Sequence, residues 1–221
     1  MKKEIKKLSL QEFAQTVEKL AKPTGSSRTI IAICGGPGSG KSTLAQYTVK
    51  SLNQKTKSKT YAYLPMDGFH MNNKKLSELG LMHKKGAIET FEAQKYLDII
   101  KLAKSGQYLE APSYSRIIHD VVENDIPIDK EKIIITEGNY LLAKQPIWQN
   151  LADYLDYSFF LFTPKDIVIP RLLARQMKTF NDKEAAQRHV NEVDLVNYDF
   201  INSFANNADE IVQIKHSDNH S

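Results

Sequence analysis

The stretch Gly35-Gly36-Pro37-Gly38-Ser39-Gly40-Lys41-Ser42-Thr43 carries the densest chemistry in the sequence. It satisfies G-x-x-x-x-G-K-[ST] between an apolar run that reads as a strand and a helical segment, the context this motif requires. Glycines let successive backbone N–H groups turn inward around a β-phosphate, and a helix N-terminus adds its dipole. Lys41 offers a flexible point charge to the β- and γ-phosphates, and Ser42 offers a hydroxyl to Mg²⁺. Such a loop binds a nucleoside triphosphate. A guanine reader of the form Asn-Lys-x-Asp is not met by Asn181-Asp182-Lys183-Glu184, and the Ser-Gly-Gly signature of transporter ATPases is absent.

Two acids and two arginines stand where such a loop needs them. Asp67 directly follows an expected strand, and the carboxyl ends of parallel strands line the ligand crevice of an open α/β sheet. A carboxylate there can take the proton of an attacking hydroxyl or reach a metal through water. A plain turn acid in Asp67-Gly68 is the alternative. Glu137-Gly138 closes another expected strand, where a second acid would hold Mg²⁺; a turn acid is again the alternative. Arg171 and Arg175 are four apart and share a helix face. They read as a phosphate clamp on a closing lid or as a solvated basic face.

Between these acids lie His83-Lys84-Lys85-Gly86, Pro112-Ser113-Tyr114-Ser115-Arg116 and His119-Asp120. An excursion of roughly 60 residues past the crevice is most economically built to hold an acceptor. Arg116 could bind a charged or hydroxyl-rich molecule and Tyr114 could pack over it. His70, His83 and His119 lack a compact ligand spacing with cysteine, so zinc is not expected. His216 and His220 fall in an expected tail.

The elements that must position these groups follow from periodicity. Ser9-x-x-Glu12 is a capping box, and Leu10, Phe13, Val17 and Leu20 give the helix one apolar face, ended by Pro23 and Gly25. Strands are expected over 29–34, 60–66, 132–136, 157–162 and 210–215. Helices are expected from Lys41 to about Ser51 and from Phe91 to Ser105, with Gly106 closing the latter. Thr163-Pro164-Lys165-Asp166 reads as a cap, a proline at N1 and an acid at N3, with a kink expected near Pro170. Alternating strands and helices predict an α/β fold with a five-stranded, mainly parallel sheet in three layers. Residues 1–221 then form a single domain, with 68–131 as an acceptor-binding insertion of helix and loop and 164–185 as a lid.

Composition bounds the partners. Lys and Arg number 30 against 26 Asp and Glu, a formal charge of +4. The excess is local, at Lys2, Lys3, Lys6 and Lys7 and at Lys55, Lys57 and Lys59. No stripe of basic and aromatic residues suggests nucleic acid. Cys34 is the single cysteine and reads as a small buried hydrophobe. No apolar run approaches about 18 residues, and the lysines at the start precede no apolar core, so no membrane partner is expected and cytoplasm is the default.

The chain resembles the P-loop small-molecule kinases related to uridine kinase and bacterial pantothenate kinase, most nearly their fructose-transport-kinase-like relatives. The matching stretches are Gly35 to Thr43, Pro65 to His70, Lys85 to Glu92, Pro112 to Arg116, Glu137 to Leu142 and Arg171 to Arg175. Ile88 stands where close relatives tend to carry proline, and Glu92 where they tend to carry aspartate. The resemblance implies ATP and Mg²⁺ as cofactors, Asp67 as catalytic base and Glu137 as the acid near Mg²⁺. It makes Lys41, Arg171 and Arg175 the groups that neutralise the transferring phosphoryl. It places acceptor contacts among His70, Lys85, Glu92, Tyr114, Arg116, His119 and Asp120, and implies a homodimer, since many relatives are dimers.

The reading is an ATP-dependent kinase acting on an alcohol group of a small metabolite such as a sugar. A uridine/cytidine or pantothenate kinase is the alternative within enzymes. A nucleotide-switched P-loop binding protein is the alternative of another class.

Overall fold

The computed structural model describes residues 3–22, 25 and 27–215. Pro23, His216, His220 and the expected tail from Ser217 lie outside the described residues. In chain order the elements are β1 (Ile5–Leu8), α1 (Leu10–Leu20), β2 (Thr29–Cys34), α2 (Lys41–Thr56) and β3 (Tyr61–Pro65). Next come α3 (Asn73–Glu78), α4 (Ala93–Lys104), β4 (Leu109–Ser115), β5 (Asp120–Ile128) and β6 (Ile133–Gly138). The chain ends with β7 (Tyr157–Leu161), α5 (Lys165–Phe180), α6 (Lys183–His189), α7 (Leu195–Asn202) and β8 (Glu210–Ile214).

The main sheet has six strands in the order β1-β8-β7-β2-β6-β3, and every pairing in it is parallel. The five expected strands are present, and the sixth corrects the expectation of five. Ile5-Lys6-Lys7-Leu8 is a short edge strand, three of its four residues exposed. Edge strands bury little, so they leave almost no hydrophobic signature in sequence. The capping box that follows it forms as read: the Ser9 N–H donates to Glu12 Oε2 at 2.7 Å and the Glu12 N–H to Ser9 Oγ at 3.1 Å.

β2 explains why the sheet is covered on both faces. Its six residues are all buried. Ile31 and Ile33 pack with Phe13, Val17 and Leu44 from α1 and α2 on one side. Ile30, Ala32 and Cys34 pack with Leu64, Tyr96 and Ile100 on the other. Alternate residues of one strand therefore feed two cores, which is why the run is continuously apolar.

The segment between β3 and β6 is not the helix and loop expected. Alongside α3 and α4 it forms an antiparallel β4–β5 hairpin. Neither strand alternates cleanly, because the burial along β5 runs mostly half-buried to exposed. The helix read at 91–105 is present as α4, and Gly106 follows it at φ 82°, the left-handed position glycine supplies. Arg28, 2% exposed, ties this segment to the sheet. Its guanidinium donates to the carbonyls of Ala103, Gln107, Asp129 and Glu131 at 2.6–3.2 Å. The end of α4 and both feet of the hairpin thus converge on the start of β2.

Two local expectations change near α5. Lys165 to Phe180 is one helix with Pro170 inside it, so no turn restarts there, and Pro164 rather than Thr163 is the N-cap. The Thr163 hydroxyl instead donates to the Ser39 carbonyl at 3.0 Å, bracing the phosphate loop. α2 extends past Ser51 to Thr56 before Lys57 closes it in a left-handed conformation.

Candidate active site

Three strand ends meet at one level. Glu137 lies beside Ile33 of β2 and beside Pro65 of β3 in the sheet register. The glycine-rich loop leaves β2, Asp67 sits in the turn Met66–Phe69 that leaves β3, and Glu137 is the penultimate residue of β6. Parallel packing therefore gathers residues far apart in sequence at the carboxyl edge of the sheet.

The loop is held to a shape that side chains would spoil. Gly38 and Gly40 adopt φ of 75° and 92°, a region open chiefly to glycine. A Cβ on Gly36 would come within 2.8 Å of the Tyr198 ring. α2 begins at Lys41, which is 8% exposed. Its first-turn N–H groups and dipole face the loop, a ready site for phosphate.

Glu137 is 1% exposed, and burial pushes its pKa upward. Asp67 raises it further, while Lys41, Tyr63 and Ser42 pull it back. The Tyr63 hydroxyl donates to Oε1 at 2.7 Å, and Oε2 has no hydrogen-bond partner among the described residues. An orphaned buried carboxylate oxygen is costly unless something cationic completes it. That oxygen and the Ser42 hydroxyl, opening on the same cleft, suit one Mg²⁺. Among the described residues no cluster of three or more His, Cys, Asp or Glu could hold a metal alone. Mg²⁺ commonly takes its remaining ligands from phosphate oxygens and water.

The raised pKa fixes a sign. A carboxyl whose folded pKa exceeds its unfolded value favours folding below the unfolded value, and loses that contribution as pH rises through the folded one. At pH 7–8 the Glu137 carboxylate therefore costs stability. Glu137→Gln is expected to raise the nucleotide-free Tm at pH 8 by about 2–4 °C, roughly 1 kcal/mol for a domain of this size. Thermal unfolding at pH 8 and pH 5 checks this: the gain must shrink at the lower pH.

Asp67 is half-buried, and its turn is buttressed by His70. His70 Nδ1 lies 2.7 Å from the Asp67 carbonyl oxygen, which can only accept, so Nδ1 carries the hydrogen. Burial lowers the His70 pKa, keeping the ring neutral for that role. The ring stacks against Phe91 at 4.0 Å and Tyr114 at 5.0 Å between centroids.

A cleft of about 360 Å³ opens between Asp67, Glu137 and the hairpin. Of the acceptor residues expected from sequence, Tyr114 and Arg116 line it. Lys85 lies behind, its ammonium 5.1 Å from the Tyr114 ring centre and donating to Asn73 Oδ1 and the His119 carbonyl. Glu92 faces a separate small recess and pairs with Lys75 at 2.6 Å. His119 and Asp120 brace α3: the His119 carbonyl accepts from the Asn73 amide, and Asp120 Oδ1 accepts the Asn73 backbone N–H at 3.1 Å.

The arginine pair is divided. Arg171 donates to the Gly38 carbonyl at 3.3 Å and so rests on the phosphate loop. Arg175 is held at 2.8 Å by the buried Asp194, whose other oxygen accepts from Gln176. Ser113, within the stretch Pro112 to Arg116, also lines the cleft, as do Gln46, Tyr63, Asp125 and Ile126, which were not read from sequence. Tyr63 could have been found, because it lies two residues before Pro65 on a strand already assigned to the site. The others depend on how the hairpin folds over.

Residues 30–220 match the family described as "Phosphoribulokinase / Uridine kinase family". A Schizosaccharomyces pombe protein named "Putative uridine kinase C227.14" is 32% identical over 84% of this chain and 83% of its own. A Yersinia pestis pantothenate kinase is 31% identical over 67% of this chain and 50% of its own. Among solved structures, a "putative fructose transport system kinase" from Silicibacter sp. TM1040 superposes with a TM-score of 0.84 at 29% identity. That superposition covers 93% of this chain and 98% of the other.

Proposed function

Because the chain belongs to the phosphoribulokinase/uridine kinase family, and so is a phosphotransferase with a hydroxyl acceptor, we propose that it transfers the γ-phosphoryl group of ATP to a sugar-like metabolite. The observation that carries this reading is that Ser42, Asp67 and Glu137 line one cleft walled by the hairpin, with the Lys41 charge acting on Glu137.

The proposed roles follow from position. Backbone N–H groups between Gly35 and Thr43, Pro37 excepted, cradle the phosphates, and Lys41 neutralises charge on the transferring group. Arg171, already against the loop, adds a second cation. Asp67 accepts the proton of the attacking hydroxyl as the bond to phosphorus forms. Ser42 and Glu137 Oε2 would hold Mg²⁺, which when bound offsets charge on the β- and γ-oxygens. Arg175 contributes after leaving Asp194, which makes α5 and α6 a lid that closes over the phosphates. Tyr114 and Arg116 face the acceptor from the hairpin.

Acceptor-dependent ADP release with MgATP tests this over a panel of sugars, polyols, uridine and pantothenate. One acceptor class should accelerate release at least tenfold over acceptor-free turnover. Stimulation by uridine or pantothenate alone would replace the sugar reading, and slow release indifferent to every acceptor would favour a nucleotide switch.

A further inference from the structure

The hairpin carries an irregularity that decides what the cleft meets. Ala111 pairs with Ile126 and Ser113 with Val122, so Pro112 alone opposes Glu123, Asn124 and Asp125. Asn124 absorbs the excess in a left-handed conformation at φ 54°, one that asparagine tolerates better than most residues. In a regular strand, residues two apart share a face. Here the bulge separates them. Glu123 borders the small recess and pairs with Lys95 at 2.7 Å, while Asp125 lines the main cleft with Asp67. Re-aiming one side chain in this way is a recurrent use of bulges beside active sites.

We infer that Asp125 is an acceptor-binding residue and that the cleft takes an uncharged, polyhydroxylated molecule; this rests on the kinase reading of the same cleft. Asp125 Oδ2 accepts the Ser113 hydroxyl at 2.6 Å. Its Oδ1 receives no protein donor among the described residues, and the side chain forms no ion pair there. The carboxylate is thus fixed by one oxygen and left with acceptor capacity on the other. A hydroxyl is the natural donor to it, and hydrogen bonds to a charged partner are the stronger kind.

The rest of the lining narrows the class. Glu137 and Lys41 belong to the metal and phosphate end of the site, which leaves Asp67 and Asp125 beside Arg116 to face the acceptor. An anionic acceptor would meet like charge, whereas a neutral polyol meets acceptors for its hydroxyls. A nucleobase would want open aromatic faces, but the Tyr114 ring already has His70 and the Lys85 ammonium beside it, and Tyr63 is tethered through its hydroxyl to Glu137 at the metal end. Asp67 then serves the reacting hydroxyl, and Asp125 a hydroxyl that does not react.

The test pairs binding with turnover, using the full chain. Saturation-transfer NMR with fructose, ribose, ribitol, a sugar phosphate and pantothenate is run on wild type and on Asp125→Asn. This substitution keeps an acceptor for Ser113 but turns an amide donor toward the cleft. We expect a neutral sugar or polyol to bind wild type. Asp125→Asn should raise its dissociation constant and KM by on the order of 10- to 100-fold, with kcat at saturation within about threefold. Equal affinity in wild type and Asp125→Asn overturns the inference while leaving the kinase reading intact. Wild type that binds no neutral probe, or binds only the sugar phosphate or pantothenate, also overturns it. Sugar binding lost in Asp125→Asn without any sugar-stimulated ADP release would instead sink the kinase reading and leave the binding role standing.

Discussion

Asp67→Asn is expected to lower kcat by on the order of 10²- to 10⁴-fold, the usual contribution of a positioned general base. The acceptor KM should change little by comparison. Asparagine has nearly the shape of aspartate, so the turn Met66–Phe69 and its bond to His70 Nδ1, which uses the backbone carbonyl and not the side chain, are preserved. What is removed is the ability to take a proton as the acceptor oxygen attacks. The measurement is steady-state ADP release at saturating MgATP, with acceptor varied. A loss confined to kcat supports the base role, because the missing interaction develops only in the transition state. A variant with wild-type kcat would show that Asp67 is a turn acid. Nucleotide affinity should be nearly unchanged, since the phosphate loop is a separate element.

Gly68→Ala, one residue on, is expected to act through position instead. The Gly68 site is closed by the hairpin: an added Cβ would overlap the Pro112 carbonyl oxygen and lie 2.6 Å from its carbon. Both are backbone atoms of β4, so no side chain can swing away, and the hairpin itself must move. Forcing a methyl group into such a contact costs roughly 1–3 kcal/mol. The displacement carries Tyr114, Arg116 and Asp125 away from Asp67 together, because all four line one cleft. The expected outcome is an acceptor KM raised tenfold or more and a Tm lowered by several degrees, with nucleotide affinity retained. Nucleotide binding by calorimetry alongside acceptor kinetics checks it. Unchanged acceptor KM in a folded variant would mean that the hairpin does not form the acceptor wall. The neighbouring substitutions thus separate chemistry from positioning: one removes a proton acceptor, the other a gap between two backbones.

Local signals were strong wherever one element faces one environment. The phosphate loop needs glycines, a lysine and a hydroxyl in a fixed order, so Gly35 to Thr43 is legible without any fold. The continuous apolar run Thr29–Cys34 reads as a strand covered on both sides because every residue of it is buried. The capping box at Ser9 and the closing Gly106 are contacts within a few residues, and both formed. The failures share a different cause. β1 is an exposed edge, invisible to hydrophobic pattern. The β4–β5 hairpin mixes buried, half-buried and exposed residues and carries a bulge, so its period of two is broken where it matters. Thr163 is not the cap because the helix begins one residue later, and its hydroxyl donates to the Ser39 carbonyl across 124 residues.

By itself, then, the sequence determined the phosphate loop, the acids Asp67 and Glu137 at strand ends, and an α/β fold with parallel strands, all of which depend on short-range chemistry and burial. Only the tertiary structure decided which side chains share the cleft. It parted Arg171 from Arg175 by giving Asp194 to one and the loop to the other. It turned His119 and Asp120 into braces for α3, and it brought Asp125 to Asp67 through a bulge. Those choices rest on contacts between segments tens of residues apart, where a one-residue change in register redirects a side chain to the opposite face.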